Sequence, residues 1–179
     1  LINKIDSAAP EKIQEVRDNI QKVNSQATII DAASPLRVDK AELIKGQRVL
    51  IVEDGPTLTH GGMAVGAGTL AAQKHGALEI IDPRDRAVGT IAQAFQDYPH
   101  VGPVIPAMGY SSKQIADLEA TIENIDCDAV IIGTPINLSR VIKIDQPAVR
   151  VHYDLQEIGR PDLQEVLKTF LIQQKLEVS

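Results

Sequence analysis

Hydrophobic residues along this chain follow two alternating patterns. Residues 49–52 and 129–132 are uninterrupted apolar runs, as in strands that are covered on both faces of a parallel sheet. Between these runs, apolar residues recur every three or four positions, as on one face of a helix. This alternation of strands and helices predicts an α/β fold, a three-layer α/β/α sandwich with a mostly parallel sheet. The helical spacing is seen at Val88, Ile91, Phe95, Ile115, Leu118, Ile122 and Ile125.

The first buried strand is followed by a polar, glycine-rich loop. Glu53 and Asp54 come directly after the apolar run, at the end of a strand where ligands of open α/β sheets bind. Carboxylates suit Mg²⁺, and the N–H groups of a glycine-rich turn before a helix attract anions. We therefore expect Glu53 and Asp54 to hold a metal ion and the loop to bind an anionic substrate. The alternative is a tight turn with two solvated acids. The candidate loop groups are Thr57, Thr59, His60, Gly61 and Gly62.

Two arginines follow later strands. Arg84 stands beside the start of a helix, and Arg140 closes a loop that also contains Thr134. A guanidinium at the carboxyl end of a strand is suited to clamping phosphate oxygens. We expect Arg84 and Arg140 to act with His60 in catalysis, and Thr134 to contact the substrate. For Arg84 the alternative is a surface ion pair with a neighbouring aspartate.

The segment Asn3-Lys4-Ile5-Asp6 matches N-K-x-D, the base-recognition motif of P-loop GTPases. An Asp carboxylate can accept hydrogen bonds from two donors of guanine, the Asn amide reaches the other edge, and the Lys stem lies along the ring. We expect Asn3, Lys4 and Asp6 to bind a nucleotide base; the alternative is a polar turn that closes a strand. The chain contains no G-x-x-x-x-G-K-[ST] sequence, the loop that holds nucleotide phosphates.

The position of this motif suggests a domain arrangement. The chain begins with Leu1 rather than Met, inside what reads as the end of a strand. We therefore expect the C-terminal part of a longer protein. Residues 1–45 would be the remnant of a P-loop nucleotide-binding domain, and residues 46–179 a C-terminal α/β domain. In the second domain, a helix rich in small residues is predicted from Met63 to His75.

The composition of the chain limits the kinds of partner that we expect for the protein. Of its 179 residues, 44% are hydrophobic and 23% are charged, which is ordinary for a globular protein. The net charge of -6 and the aromatic content of 3% argue against a nucleic-acid-binding surface. No apolar run is long enough to cross a membrane, and the single cysteine, Cys127, cannot form an internal disulfide. We expect a cytoplasmic protein in which Cys127 is a small core residue.

Several stretches occur together, in this order, in one protein family. Over its whole length the chain resembles the C-terminal portion of the cyclic 2,3-diphosphoglycerate synthetases and their bacterial homologues, which are described as predicted GTPases. The stretches that carry the resemblance are residues 52–63, Asp82-Pro83-Arg84, Ala87-Val88-Gly89, Tyr98-Pro99-His100, residues 106–110 and Gly133-Thr134-Pro135-Ile136.

This resemblance implies a nucleotide-dependent ligase. The reaction would be ATP-driven closure of an intramolecular phosphoanhydride in 2,3-bisphosphoglycerate, with an upstream P-loop domain that holds most of the nucleotide phosphates. The expected partners are Mg²⁺ with ATP or GTP and a small phosphorylated substrate, and a homodimer is a further open arrangement. Because N-K-x-D favours guanine, both nucleotides remain candidates. The alternative is a GTP-binding protein, a GTPase, whose C-terminal domain is a regulatory or partner-binding module. We expect the chain to be inactive alone.

Overall fold

The computed structural model of the protein describes residues 1–109 and 111–174. The chain forms two compact units. The central unit is Leu36–His152, and the split unit combines Leu1–Pro35 with the described residues from Tyr153 onward. The expected domain division between residues 45 and 46 stays a prediction.

The chain alternates short strands with helices. The eight strands are β1 (Asp31–Ala33), β2 (Leu36–Val38), β3 (Arg48–Asp54), β4 (Glu79–Ile80), β5 (Ile105–Ala107), β6 (Ala129–Gly133), β7 (Ala148–Tyr153) and β8 (Gln156–Ile158) among the described residues. The six described α-helices are α1 (Pro10–Val23), α2 (Gly55–Thr59), α3 (Ala67–Lys74), α4 (Gly89–Asp97), α5 (Ser112–Glu123) and α6 (Leu163–Gln173). Short 3₁₀ helices cover Ala41–Leu43, Arg84–Arg86 and Leu138–Arg140.

The central unit is built on a sheet in which β2, β7, β6, β3 and β4 are neighbours in that order, and β5 also pairs with β3. The pairings of β3 with β4, β5 and β6, and of β6 with β7, are parallel. β4 lies beside Arg48 and Val49 at the start of β3, whereas β5 lies beside residues 52–54 at its end. The predicted α/β class with a mostly parallel sheet is therefore confirmed.

Helices pack against both faces of this sheet. In β3 and β6, even-numbered residues such as Leu50 and Ile132 form one core with α4 and α5. Odd-numbered residues such as Ile51 and Ile131 form another core with α2 and α3. Because both faces are covered, these strands read as uninterrupted apolar runs. Cys127 belongs to the first core, as predicted, and burial raises the pKa of its thiol to about 11.

Local hydrogen bonds set the helix boundaries. α5 is preceded by a capping box, in which the Ser111 hydroxyl accepts the N–H of Gln114 and the Gln114 side chain accepts the N–H of Ser111. The helix predicted from Met63 was placed too early, because α3 begins only at Ala67. The N–H of Gly66, the residue before α3, and those of Gly68 and Thr69 in its first turn donate to the buried carboxylate of Glu53.

The split unit is joined by a short antiparallel pairing of β1 with β8. Ile2 also forms a parallel bridge with Asp31: the N–H of Ile2 donates to the Ile30 carbonyl at 2.8 Å, and the N–H of Ala32 to the Ile2 carbonyl at 2.9 Å. Helices α1 and α6 contain no buried residue in the part of the chain that the structure describes. None of the helices within residues 1–109 and 111–174 combines the length and apolar character needed to cross a membrane.

Candidate functional site

The carboxyl ends of four strands of the central sheet lie at one edge. The register places Val52 of β3 beside Ile132 of β6, and Ile132 beside Arg150 of β7. At the end of β3, Asp54 lies beside Ala107 of β5. Ligands of open α/β sheets bind outside such an edge. This carboxyl edge is therefore the candidate site of the central unit.

The side chain of Glu53 occupies the anion-binding position at the start of α3, and it is only 1% exposed. One carboxylate oxygen accepts the N–H groups of Gly66 and Thr69 at 3.1 and 2.9 Å and the Thr69 hydroxyl at 3.2 Å. The other oxygen accepts the N–H of Gly68 at 3.2 Å. The first N–H groups of a helix lack partners within the helix and attract negative charge. The start of α3 therefore binds an anion that the protein itself supplies.

Two glycines leave room for this carboxylate. A Cβ atom at Gly133 would lie 2.4 Å from Oε2 of Glu53, and one at Gly66 would lie 2.6 Å from the same atom. Both distances are too short for non-bonded atoms, so neither position accommodates a side chain. Packing against Glu53 thus favours glycine at both positions, and at Gly133 the backbone nitrogen of Gly68, 2.8 Å from the Cβ position, adds to the effect.

Opposing effects act on the ionisation of Glu53. Burial raises the pKa of its carboxyl above the ordinary value, because the surroundings solvate the charge poorly. Hydrogen bonds from Thr69, Gly68 and Gly66 act in the other direction, since they favour the ionised carboxylate. The net direction is upward, as expected for a carboxylate enclosed on all sides.

The predicted metal ligands Glu53 and Asp54 differ in accessibility. Glu53 is buried, whereas Asp54 is partly exposed and caps α2. One oxygen of Asp54 accepts the N–H of Thr57 at 3.2 Å and its hydroxyl at 2.7 Å. Within the described residues, no three His, Cys, Asp or Glu side chains are grouped so that they could hold a metal ion. Metal binding at this pair stays a prediction, and Asp54 is the more accessible carboxylate.

The loop that follows Asp54 is organised by α2. The hydroxyl of Thr59 donates to a carbonyl of α2 at 3.0 Å and lies 2.8 Å from Nδ1 of His60. The N–H of Gly61 also donates to a carbonyl of α2, at 3.1 Å. Gly62 has φ of 63°, in the left-handed region that favours glycine. His60 and Gly62 are exposed, so these two residues are open to a ligand.

Arg84 is bound to protein groups. Its guanidinium donates to the carboxylate of Asp82 and to the backbone carbonyl of Val101, and it lies 5.4 Å from the centre of the Phe95 ring. These contacts tie the turn after β4 to the segment before β5. The ion pair expected as the alternative for Arg84 is therefore present, and its catalytic role stays a prediction.

The loop after β6 contains one buried and one exposed candidate. Thr134 is buried, and its hydroxyl donates to the Ile136 carbonyl at 3.0 Å. Arg140 ends the 3₁₀ helix of this loop and is exposed. Arg140 is thus the group of this loop that can most readily meet an anionic ligand.

The predicted base-binding residues Asn3, Lys4 and Asp6 lie in the split unit. Oδ1 of Asn3 accepts the N–H of Lys4 at 2.8 Å, and Lys4 has φ of 63°. One oxygen of Asp6 accepts the N–H of Ser34 at 3.2 Å, which joins the motif to the end of β1. All three side chains are exposed, so each can reach a ligand.

β7 brings charged residues to the carboxyl edge that the sequence analysis did not identify. Arg150 and His152 are two positions apart and so share one face of the strand. Nε2 of His152 lies 2.9 Å from Oδ2 of Asp39. This hydrogen bond lowers the pKa of the Asp39 carboxyl, and the charges of His152, Arg37 and Arg150 add to the effect. The alternation of these residues with valines is the sequence signal that marks a polar face.

Comparison with known proteins relates the chain to a synthetase. No protein-family model matches the chain. A curated protein from Thermococcus kodakarensis named arginine synthetase ArcE is 60% identical to it over 168 residues. The match covers 94% of this chain and 38% of that protein. The chain therefore spans less than half the length of the relative that it matches.

This similarity corrects the function expected from the sequence. The expectation of a cyclic 2,3-diphosphoglycerate synthetase is wrong, because the relative at 60% identity is named for a different product. The resemblance rested in part on residues 52–63, where the structure shows an enclosed carboxylate and a capped helix. Such features belong to the architecture, and one architecture can serve different substrates.

Proposed function

We propose that this chain is part of a synthetase, a ligase that forms arginine. The observation that carries the proposal is the 60% identity over 168 residues to arginine synthetase ArcE. Because the match covers 94% of the chain, most of the carboxyl edge falls within it. Helices on both faces of the central sheet also support the finer description of this unit as a three-layer α/β/α sandwich.

The structure of arginine defines what such a reaction requires. Its guanidinium carbon carries three nitrogens, so a ligase can complete it from a ureido amino acid and ammonia. The ureido oxygen accepts the terminal phosphoryl group of a nucleoside triphosphate, the nucleoside diphosphate leaves, and the phosphorylated oxygen is now a leaving group. Ammonia then forms the new C–N bond, the C–O bond breaks, inorganic phosphate leaves, and a base takes a proton from the attacking nitrogen. Such steps depend on positioned donors in a site that excludes water.

We propose the carboxyl edge of the central sheet as the place where the amino acid binds. Asp54 offers a partly exposed carboxylate to a cationic group of the ligand. His60 and Arg140, two of the predicted catalytic residues, are exposed in the loops that follow α2 and β6. An amino acid carries a positive and a negative group. It is therefore suited to an edge that offers a partly exposed acid, an imidazole and a guanidinium.

We also propose that the split unit contributes to nucleotide binding. Asp6 is oriented by the N–H of Ser34, which leaves its second oxygen for a donor on a base. Residues 1–45 would then be the end of a P-loop nucleotide-binding domain. Mg²⁺ would accompany ATP or GTP and neutralise phosphate charge, with Asp54 the better placed of the two acids to hold it.

Arginine formation by the complete protein tests this proposal. The protein is incubated with the ureido analogue of arginine, ¹⁵N-ammonium, Mg²⁺ and either ATP or GTP, and the products are analysed by mass spectrometry. We expect arginine that carries one heavy nitrogen, with one inorganic phosphate released per arginine. If neither nucleotide yields labelled arginine, the proposal is contradicted.

Substitutions then distinguish the proposed roles of the two units. Asp6→Ala should raise the KM for the nucleotide and leave the KM for the amino acid unchanged. Asp18→Ala is the matched control, because Asp18 is an exposed acid of α1 in the same unit. Arg140→Ala should lower kcat/KM for the amino acid. An unchanged nucleotide KM in Asp6→Ala would remove the base-binding role.

A further inference from the structure

The face of the central sheet that carries the first core becomes charged at β7. Arg150 of β7 lies beside Ile132 of β6, so the two side chains point to the same face. Ile132 belongs to the core with α4 and α5, and Ala148 of β7 packs against that core. Arg150 and His152 continue the same face toward the carboxyl edge. The apolar face of the sheet thus ends in charged residues where a ligand would approach.

β2 extends this charged area. Val38 packs against the core on the opposite face, so Arg37 and the following Asp39 alternate onto the face of Arg150. The N–H of Asp39 donates to the Arg150 carbonyl at 3.0 Å, and its carboxylate lies 2.9 Å from Nε2 of His152. Arg37, Asp39, Arg150 and His152 therefore form one group, which we name the charged cluster.

Arg150 holds an unused donor in this cluster. Its Nε is buried and has no hydrogen-bond partner among the described residues. Buried donors in proteins are nearly always bonded. The carboxylate of Asp39 is already engaged by His152. The donor of Arg150 therefore points to an acceptor that comes from outside the described residues.

We infer that the charged cluster binds the carboxylate of an amino-acid ligand, with Arg150 as the main contact. A guanidinium presents two parallel donors that match the two oxygens of a carboxylate. The single charge of the Arg150 guanidinium balances a singly charged carboxylate, whereas a phosphate carries nearly two charges at neutral pH. The inference rests on the proposed function only for the identity of the ligand, arginine or its ureido precursor.

The test uses the full chain and a set of ligand analogues. Affinity is measured by calorimetry, and the imidazole signals of His152 in NMR spectra report binding at the cluster. Arginine and norvaline, which share the amino and carboxylate groups, should both shift the His152 signals. The decarboxylated analogue of arginine should not shift them, and inorganic phosphate should bind more weakly than arginine. Tighter binding of phosphate than of arginine would overturn the inference.

Variants assign the contact to Arg150. Arg150→Ala should weaken arginine binding by about tenfold or more, since a charge-assisted hydrogen bond is lost. Arg150→Lys, which keeps the charge without the paired donors, should lose less. The matched control is Arg48→Ala, which removes an arginine from the opposite end of the same sheet, where it pairs with Glu79 and Asp126. An unchanged affinity in a folded Arg150→Ala protein, or an equal loss in Arg48→Ala, would contradict the assignment.

The analogues keep this inference separate from the proposed function. If the complete protein forms no arginine but norvaline and arginine still shift His152, the proposed function fails and the carboxylate site stands. If arginine is formed but Arg150→Ala binds it normally, the proposed function stands and this site fails. Should Arg150→Ala not fold, the analogue series on the unsubstituted chain and the Arg150→Lys variant decide the question.

Discussion

The central unit and the split unit bury their apolar residues to different extents. In the central unit, β3 and β6 are covered on both faces and contribute to two cores. In the described part of the split unit, α1 and α6 have no buried residue, and Leu167 and Phe170 are 50% and 53% exposed. Helical spacing of apolar residues therefore predicts a helix without predicting that its apolar face is covered.

Helices α5 and α6 show this difference most directly. Both are preceded by a complete capping box, Ser111 with Gln114 and Asp162 with Glu165. α5 nevertheless buries Leu118 among its residues, whereas α6 buries none that the structure describes. Their local start signals are equivalent, so the difference arises from tertiary contacts.

The largest expected effect comes from emptying the core of the central unit. Ile131→Ala should lower the free energy of unfolding by about 2–5 kcal/mol, because Ile131 is fully buried in β6. Leu167→Ala in α6 is the matched deletion in the split unit and should cost less than about 1 kcal/mol. Since the chain has no Trp, unfolding is followed by far-UV circular dichroism in denaturant. Equal costs for the two substitutions would remove the distinction between the units.

A smaller effect is expected at the glycine that faces Glu53. Gly133→Ala should destabilise the protein by about 1–3 kcal/mol, because the added Cβ meets the carboxylate. In the split unit, Gly159 has open space but φ of 81°, so Gly159→Ala should cost about 1 kcal/mol through backbone strain alone.

A double-substitution cycle identifies the cause at Gly133. The cost of Gly133→Ala should shrink in a Glu53→Ala background, because the opposing carboxylate is gone. The cost of Gly159→Ala should be the same in both backgrounds. An undiminished cost at Gly133 would show that Glu53 is not what excludes a side chain there.

The smallest effect concerns charge and depends on pH. Asp117 of α5 accepts the N–H of Thr90 at 2.8 Å and a hydrogen bond from Lys113 at 3.0 Å, which lower the pKa of its carboxyl to about 2. This carboxylate stabilises the fold at pH above the ordinary value of 3.8, and the contribution is lost as the pH falls toward 2. Asp117→Asn should therefore be less stable at neutral pH, and the difference should shrink as the pH falls from about 4 through 2.

The split unit supplies the control for this charge effect. Glu15 of α1 pairs with Lys12 on an exposed surface, where ion pairs contribute little. Glu15→Gln should leave the unfolding midpoint unchanged across the same pH range. A difference between Asp117→Asn and the unsubstituted protein that does not shrink between neutral pH and pH 2 would exclude ionisation as its cause.

The core of the fold could be predicted from the sequence. Uninterrupted apolar runs at β3 and β6 predicted strands covered on both faces, because few other environments accept such runs. The positions of these strands then located their carboxyl ends. The candidate loops follow directly after those ends. The strand ends at Asp54 and Gly133 therefore followed from local patterns alone.

The contacts of the candidate site could not be predicted in the same way. The sequence suggested a metal ion for Glu53 and an anionic substrate for the glycine-rich loop. Which partner each of them takes depends on packing between segments that are distant in the chain. Arg84 likewise pairs with Val101, a residue that only the tertiary fold brings near. The charged cluster required the neighbourhood of β2 and β7, which no local pattern encodes.

The place where arginine binds most directly tests the proposed amino-acid site at the carboxyl edge of the central sheet. Arginine is titrated into the ¹⁵N-labelled chain, and shifts of the backbone amide signals are mapped onto the structure. We predict the largest shifts in the central unit at the carboxyl edge, around His60, Arg140 and His152, with α1 and α6 unchanged. Shifts confined to α1 and α6, or none at saturating arginine, would contradict the claim that this chain forms the amino-acid site of an arginine-forming synthetase.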